Sequence, residues 1–372
     1  MAGVYIHIPF CRQACHYCNF HFATSLRLKD KLVQAILSEI ELQKNYFTGE
    51  TAETIYFGGG TPSLLSVDET RHIIQELKKI FSVTNDAEIT LEANPDDITV
   101  EKLTGWKQAG INRLSIGIQS FFDEDLKWLN RAHTAQQATD NLKLAKRYFT
   151  HTTIDLIYGL PGLTDEKWKQ NVDMAIELNI PHLSCYALTV EQKTPLDKMI
   201  RGQKKENVDP GKQSKQFLLL MQWMEEAGYE HYEISNFAKS GFRSQHNSSY
   251  WQGKKYLGIG PSAHSFNGNE RSWNVSNNNL YISAVQEGKL PAEKETLTSL
   301  QKLNEYIMVS LRTIEGINLR LLDSVFGIEQ KAMLDKAGNY ISSGLLKPEK
   351  QSLILTREGK LLADGIAASL FF

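Results

Sequence analysis

Cys11, Cys15 and Cys18 stand within one short run of a 372-residue chain that has a single further cysteine, Cys185. The run reads His7-Ile8-Pro9-Phe10-Cys11-Arg12-Gln13-Ala14-Cys15-His16-Tyr17-Cys18-Asn19-Phe20, a CxxxCxxC spacing followed by an aromatic residue. Thiolates are the usual ligands of iron–sulfur clusters, and a cubane cluster normally takes four. Three thiolates leave one iron free for a group that is not protein, which makes it a reaction site or a docking point. Structural zinc is the competing chemistry, with His16 or His21 as fourth ligand. Zinc commonly closes its tetrahedron with paired CxxC or HxxxH units, and no second pair exists here. A disulfide framework is disfavoured, because the cysteines are few and the chain is large enough to fold without a staple. Cys185, in Leu183-Ser184-Cys185-Tyr186-Ala187, reads as an inert thiol packed in a strand.

Other residues have types suited to holding a polar ligand. Gly58-Gly59-Gly60-Thr61-Pro62 lets backbone approach a ligand closely, although a glycine-rich turn alone is more often just a tight loop. Glu92, Gln119 and Asp155 end or interrupt apolar runs, and a carboxylate there is costly to bury unless paired or ligand-bound. Arg131 is suited to pairing with a carboxylate of the ligand. His246-Asn247-Ser248-Ser249-Tyr250-Trp251 combines an imidazole, a common axial ligand of haem iron, with rings able to pack on a porphyrin. The plainer account of that run is a satisfied histidine beside two core aromatics. His264, in Gly260-Pro261-Ser262-Ala263-His264, is open to a cofactor-facing and a structural reading alike.

The elements that must position these residues follow from the apolar pattern. Strands are predicted at Val4–Ile8, Thr54–Phe57, Glu88–Ala93, Arg113–Ile118, Thr152–Tyr158 and His182–Ala187, with helices near Leu28–Tyr46, Val67–Phe81, Thr99–Ala109, Ala135–Arg147 and Glu166–Leu178. Alternating strands and helices argue for an α/β fold with a parallel sheet. Six units are too few for a closed eightfold barrel, so an open partial barrel is expected, with its ligands at the C-terminal ends of the strands. After residue 190 a polar stretch leads into a helix ending near Ala227-Gly228, then an irregular region from about Ser235 to Asn279. The tail reads as helices at Leu300–Thr313 and Ile328–Ser343, the apolar run Ser352–Leu355 and a short helix after Arg357, a small mostly helical, winged-helix-like unit. The expected division is 1–190 for the core, 191–297 for a linker helix and a region completing it, and 298–372 for the tail. A charged fraction of 23% and a net charge of -2 describe an ordinary globular chain, with no stripe that points to nucleic acid. No stretch approaches the roughly 20 apolar residues of a membrane span, and the first residues lack a signal-peptide pattern, so the cytoplasm is expected.

Taken together these motifs resemble the radical S-adenosylmethionine (SAM) superfamily. Within it they closely resemble the coproporphyrinogen III oxidase-like branch, which holds the oxygen-independent oxidase and the radical-SAM haem chaperones (HemW-like). The resemblance runs from about Tyr5 through the tail. It implies a partial (β/α)6 TIM-like radical SAM barrel, a [4Fe–4S] cluster on Cys11, Cys15 and Cys18, and SAM chelating the open iron. It also implies SAM contacts from Tyr5, Tyr17, Gly59, Gly60, Thr61, Glu92, Gln119, Arg131 and Asp155, and less directly from Ala187 and His264. The oxidase has a further cysteine two residues past the third, where this chain has Phe20, and a long N-terminal extension, where only ten residues precede Cys11. The HNxxYW run is typical of the haem chaperones, which implies haem contacts from His246, Asn247, Tyr250 and Trp251. The expected function is therefore binding haem and passing it to an acceptor haem protein, a transient membrane-associated one among the candidates. Oxidative decarboxylation of a porphyrinogen is the alternative. The likeness assigns no catalytic residue and leaves open whether SAM is cleaved.

Overall fold

The structure, a computed structural model, describes residues 2–372. Strands β1 (Ala2–Ile8), β2 (Ala52–Gly59), β3 (Val83–Ala93), β4 (Arg113–Gln119), β5 (His151–Tyr158) and β6 (His182–Ala187) run parallel and side by side in chain order. Between them run α1 (Lys29–Leu42), α2 (Val67–Ile80), α3 (Val100–Ala109), α4 (Asp123–Leu129), α5 (Ala135–Lys146) and α6 (Asp165–Glu177). Side chains alternate along a strand. Val4, Ile6 and Ile8 of β1 therefore share the hydrophobic core with Leu32, Ile36 and Ile40 of α1, all fully buried, while Tyr5 and His7 take the opposite, inner face. Two of the helices start at reciprocal capping boxes: Ser66 and Glu69 form one before α2, and Thr134 and Gln137 form another before α5.

The sheet continues past both ends of this set. Helices α7 (Pro195–Arg201) and α8 (Pro210–Glu226) lead to β7 (Glu230–Glu233) and β8 (Asn236–Ala238), and β8 pairs antiparallel with β6. Helix α9 (Gln245–Trp251) precedes β9 (Lys255–Ile259), which lies parallel to β1 on its other side. Then β10 (His264–Phe266), β11 (Glu270–Asn274), α10 (Asn278–Gln286) and β12 (Ala292–Thr296) follow, the strands adding on antiparallel. The sheet thus has 12 strands, with β12 and β7 at its two ends, and it remains an open arc rather than a closed barrel. This corrects the expectation of an irregular region from Ser235 to Asn279. The strands there are only three to five residues long and alternate with turn residues, so their signal in the sequence is weak.

The tail has α11 (Ser299–Leu311), β13 (Ile317–Asn318), α12 (Leu319–Phe326), α13 (Gln330–Ser342), β14 (Leu346–Glu349), β15 (Ser352–Leu355) and α14 (Ala363–Ser369). Its strands form a separate sheet in the order β13-β15-β14, and its apolar residues form a hydrophobic cluster of their own. Helix α12, absent from the sequence expectation, adds to the two predicted helices and the ribbon.

Candidate cluster and cofactor site

The three clustered cysteines lie on the loop that leaves the C-terminal end of β1, and the turn after α4 holds that loop in place. Asn130 ends α4 in the left-handed conformation, with φ 60°. Its side-chain Nδ2 donates to the Ala14 carbonyl at 2.7 Å, and Gln13 Nε2 donates to the Asn130 backbone carbonyl and Oδ1, each at 3.0 Å. The His16 N–H donates to the Leu129 carbonyl at 3.1 Å, and the Leu196 N–H to the His16 carbonyl at 2.8 Å. Arg12 pairs at 2.7 Å with Asp97, whose side chain is fully buried.

Every sulfur of the loop has a hydrogen-bond donor. Thr61 Oγ1 donates to Cys11 Sγ at 3.5 Å, Arg131 Nη1 to Cys15 Sγ at 3.4 Å, and the Phe20 N–H to Cys18. Arg131 Nη2 also donates to Asn94 Oδ1 at 2.7 Å and to the Gly117 carbonyl at 2.9 Å, while Asn94 Nδ2 donates to Thr61 Oγ1 at 3.3 Å. Cys11, Thr61, Asn94, Arg131 and Cys15 thereby form one continuous network across four loops. Burial raises the Cys11 thiol, and it raises Cys18 to about 11, with the neighbouring cysteines adding to both shifts. Thiolates crowded in this way need a cationic partner, and metal coordination supplies one by deprotonating the thiol outright. Among the described residues, no three His, Cys, Asp or Glu side chains close as tightly as one metal ion requires. A cubane spreads its thiolates over separate irons, so the donor set fits a cluster better than a zinc ion. Arg131 Nε is buried without a partner, an open donor beside the sulfurs.

The other polar residues line the adjoining strand ends. Glu92 on β3 accepts from the Tyr56 hydroxyl at 2.8 Å. Burial, then repulsion from Asp155, raises its carboxyl to about 7. Burial likewise raises Asp155 on β5 to about 6, against hydrogen bonds from Ser184 and Ser115 and the pull of Arg131. Gln119 closes β4 with φ 68°, where the register with β5 slips, a strained conformation of the kind that clusters at ligand sites. Tyr17 is near enough to Arg131, Cys15, Cys18 and Asp155 to feel each of them. Gly60 is held against the cysteine loop: a Cβ there would lie 2.6 Å from the Phe10 carbonyl oxygen and 2.8 Å from the Phe10 nitrogen. Gly59 has φ +107°, and a Cβ on it would meet the His7 ring at 2.6 Å. Tyr5 donates to His7 Nδ1 at 3.2 Å while His7 Nε2 donates to the His21 carbonyl at 3.0 Å. Ala187 ends β6 opposite Tyr158, and His264 opens β10 close enough to His7 to influence it. Asn94 and Asn130 are additions to the expected residues. Their only sequence signal is an Asn before Pro and an Asn after an amphipathic turn.

The HNxxYW run differs from its expectation. His246 is 1% exposed, its Nδ1 bonded to Thr54 Oγ1 at 2.7 Å and its Nε2 to the Tyr250 hydroxyl at 2.9 Å. The ring stacks on Tyr56 at 4.9 Å, and burial lowers its pKa to about 3. In this conformation it is a satisfied core histidine with no nitrogen free for iron. Glu88 fixes the start of α9 by accepting the Gln245 and His246 N–H groups at 3.1 and 3.0 Å. Trp251 lies under the Arg312 guanidinium at 5.1 Å, turned toward the tail, and Asn247 is half-buried beside the Ser244 cap.

The arc of parallel strands, the cysteine loop at its C-terminal rim and the glycine turn beside it define a protein of the radical SAM class. The Radical SAM superfamily profile matches residues 5–175, and the HemN C-terminal domain profile matches residues 297–362. The heme chaperone HemW of Bacillus subtilis is 32% identical over 98% of this chain and 98% of its own, and that of Mycobacterium tuberculosis is 33% identical over 99% and 94%. The chain belongs to the HemW family. The fold is that of the solved Escherichia coli coproporphyrinogen III oxidase HemN, with a TM-score of 0.86, 24% identity and coverage of 100% of this chain and 90% of that one.

Proposed function

We propose that this chain is a cytoplasmic haem carrier, which binds haem and hands it to a second haem-binding protein. The observation that supports this most directly is its kinship, along nearly its full length, with proteins named heme chaperone HemW. Phe20 adds to it, because the oxidase branch carries a cysteine at that position. Cys11, Cys15 and Cys18 would hold a [4Fe–4S] cluster, with SAM on the open iron. Bound together, the cluster and SAM supply one-electron chemistry or a gate on ligand binding. Within the chain, Thr61 and Arg131 hold the sulfurs by hydrogen bonds, and Glu92, Asp155 and Gln119 offer acceptors for ribose hydroxyls and an amino group. Gly59 and Gly60 bring backbone up to the methionine end, with Tyr5, Tyr17 and Ala187 completing the walls. No helix among the described residues is long and apolar enough to cross a membrane, so an acceptor at the membrane would be met by transient docking.

The test is anaerobic reconstitution followed by iron, sulfide and haem quantification on one sample, then mixing with an apo-haemoprotein. Stoichiometric haem that moves to the acceptor is the expected result. Sustained conversion of coproporphyrinogen to protoporphyrinogen by the reconstituted protein would overturn the reading in favour of an oxidase.

A further inference from the structure

Imidazole is a common axial ligand of haem iron and binds it through a free, accessible nitrogen, which His246 does not offer. His264 does. It is exposed, and neither of its ring nitrogens has a hydrogen-bond partner. Two other exposed histidines, His72 and His151, stand elsewhere: His72 on α2, and His151 at the start of β5, the end of the sheet remote from the cysteines.

The register places His264 on the inner face of the sheet. Tyr5 of β1, which faces the cofactor site, pairs with Gly258 of β9, and Gly3 pairs with Tyr256. Tyr256 in turn opposes Phe266 of β10, and alternation puts His264 on the same face two residues before it. Across the next pair His264 opposes Trp273 of β11, their rings 6.2 Å apart and inclined at 30°. Tyr256 meets Phe266 at 6.2 Å and Tyr250 edge-on at 4.7 Å, so the aromatic strip runs back to the HNxxYW helix. The strip therefore carries an open imidazole, an indole beside it and a row of rings, next to the rim that bears the cysteines. These are the groups that bind a flat iron porphyrin: a nitrogen for the metal and apolar faces for the macrocycle. Arg271 shares the face but is paired with Glu305 at 2.8 Å, so it is not counted as a propionate partner.

We propose that His264 is the axial ligand of the carried haem and that Trp273 packs on the porphyrin face, on the inner surface of β9–β11. This deepens the haem-carrier reading and rests on it, and it assigns His264 to haem rather than to SAM.

The experiment is titration of ferric haem into the full chain, followed by its Soret spectrum, for wild type, His264→Gly, His264→Met, Trp273→Leu and His246→Ala. Near-ultraviolet circular dichroism serves as the folding control. Wild type is expected to give an imidazole-type spectrum that His264→Gly loses, that added imidazole restores, and that His264→Met converts to a thioether type. Trp273→Leu should weaken binding while keeping the imidazole type, and His246→Ala should keep both. Should His264→Gly fail the folding control, His264→Met carries the same decision, since only a ligand exchange changes the spectral type. A wild-type spectrum persisting in folded His264→Gly or His264→Met, or lost only in His246→Ala, overturns the assignment and leaves the carrier reading standing. Failure of wild type to bind haem at all overturns the carrier reading itself, and this proposal with it.

Discussion

Glu92 and Asp155 are held protonated by burial at a pH where the unfolded chain would already have released both protons. Glu92 is raised from 4.5 to about 7. Between those values the native state binds the extra proton, so stability falls as pH rises through that window. Glu92→Gln should flatten the pH dependence of the thermal midpoint of the metal-free protein between pH 4.5 and 7. It should also raise the midpoint above wild type at pH 8; an unaltered slope would remove Glu92 from this account. SAM carries positive charge on its sulfonium, so its binding beside the pair should favour their ionised forms and release protons. Calorimetric titrations in buffers of different ionisation heat would reveal that release. Asn130 makes a different prediction. Any side chain longer than glycine costs about 1–2 kcal/mol in its left-handed conformation, a cost its three side-chain and backbone contacts to the cysteine loop offset. Asn130→Ala should stay folded yet take up less iron per chain on reconstitution, and full iron uptake would argue against a positioning role.

Among the elements, those read best from sequence are the ones that bury an apolar face over many residues. His182–Ala187 coincides with β6, and the five helices predicted in the first half fall within a few residues of their bounds, while α4, only seven residues long, is missed. β3 begins at Val83 rather than Glu88, because Thr84, Asn85 and Asp86 carry no apolar signal and lie where the register with β2 slips between the Val83 and Glu88 pairs. Strands β7 to β12 escape detection because they are only three to five residues long and carry little alternating apolar signal. The site was legible by residue type at the cysteines, the glycine turn and the buried carboxylates. It was not legible at Asn94, whose role depends on Arg131 arriving from another loop, nor in the enclosure of His246, which depends on Thr54 and Tyr250. The glycine turn offers a test at this scale. Gly60→Ala drives a methyl into backbone atoms of the cysteine loop, and overpacking of this sort costs typically about 1–3 kcal/mol. Urea denaturation should register that loss, accompanied by poorer cluster retention; a variant as stable as wild type would mean the two loops move independently.

At the scale of the whole molecule, the two hydrophobic clusters meet along a polar seam. Arg312 of the tail donates to Glu233 at 3.2 and 3.0 Å and reaches Asp364 at 3.0 Å, and the Ile234 N–H donates to the Arg312 carbonyl at 3.0 Å. The Glu233 side chain is 1% exposed. Removing a charged partner from a buried acceptor costs about 1–3 kcal/mol, moderated here by donors from Ser235 and Asn236. Arg312→Ala should therefore uncouple the tail, seen as faster proteolytic cleavage near residues 312–315 with the core's melting little changed; equal protease resistance would show that apolar contacts alone fasten the seam. The arc of 12 strands also never meets itself, since β7 and β12 are left as its two ends. A closed cylinder admits cargo only along its axis, whereas a cleft open along one flank lets a broad, stiff disc slip out sideways into a receiving surface. Under the proposed haem-carrier function, that missing wall is the exit.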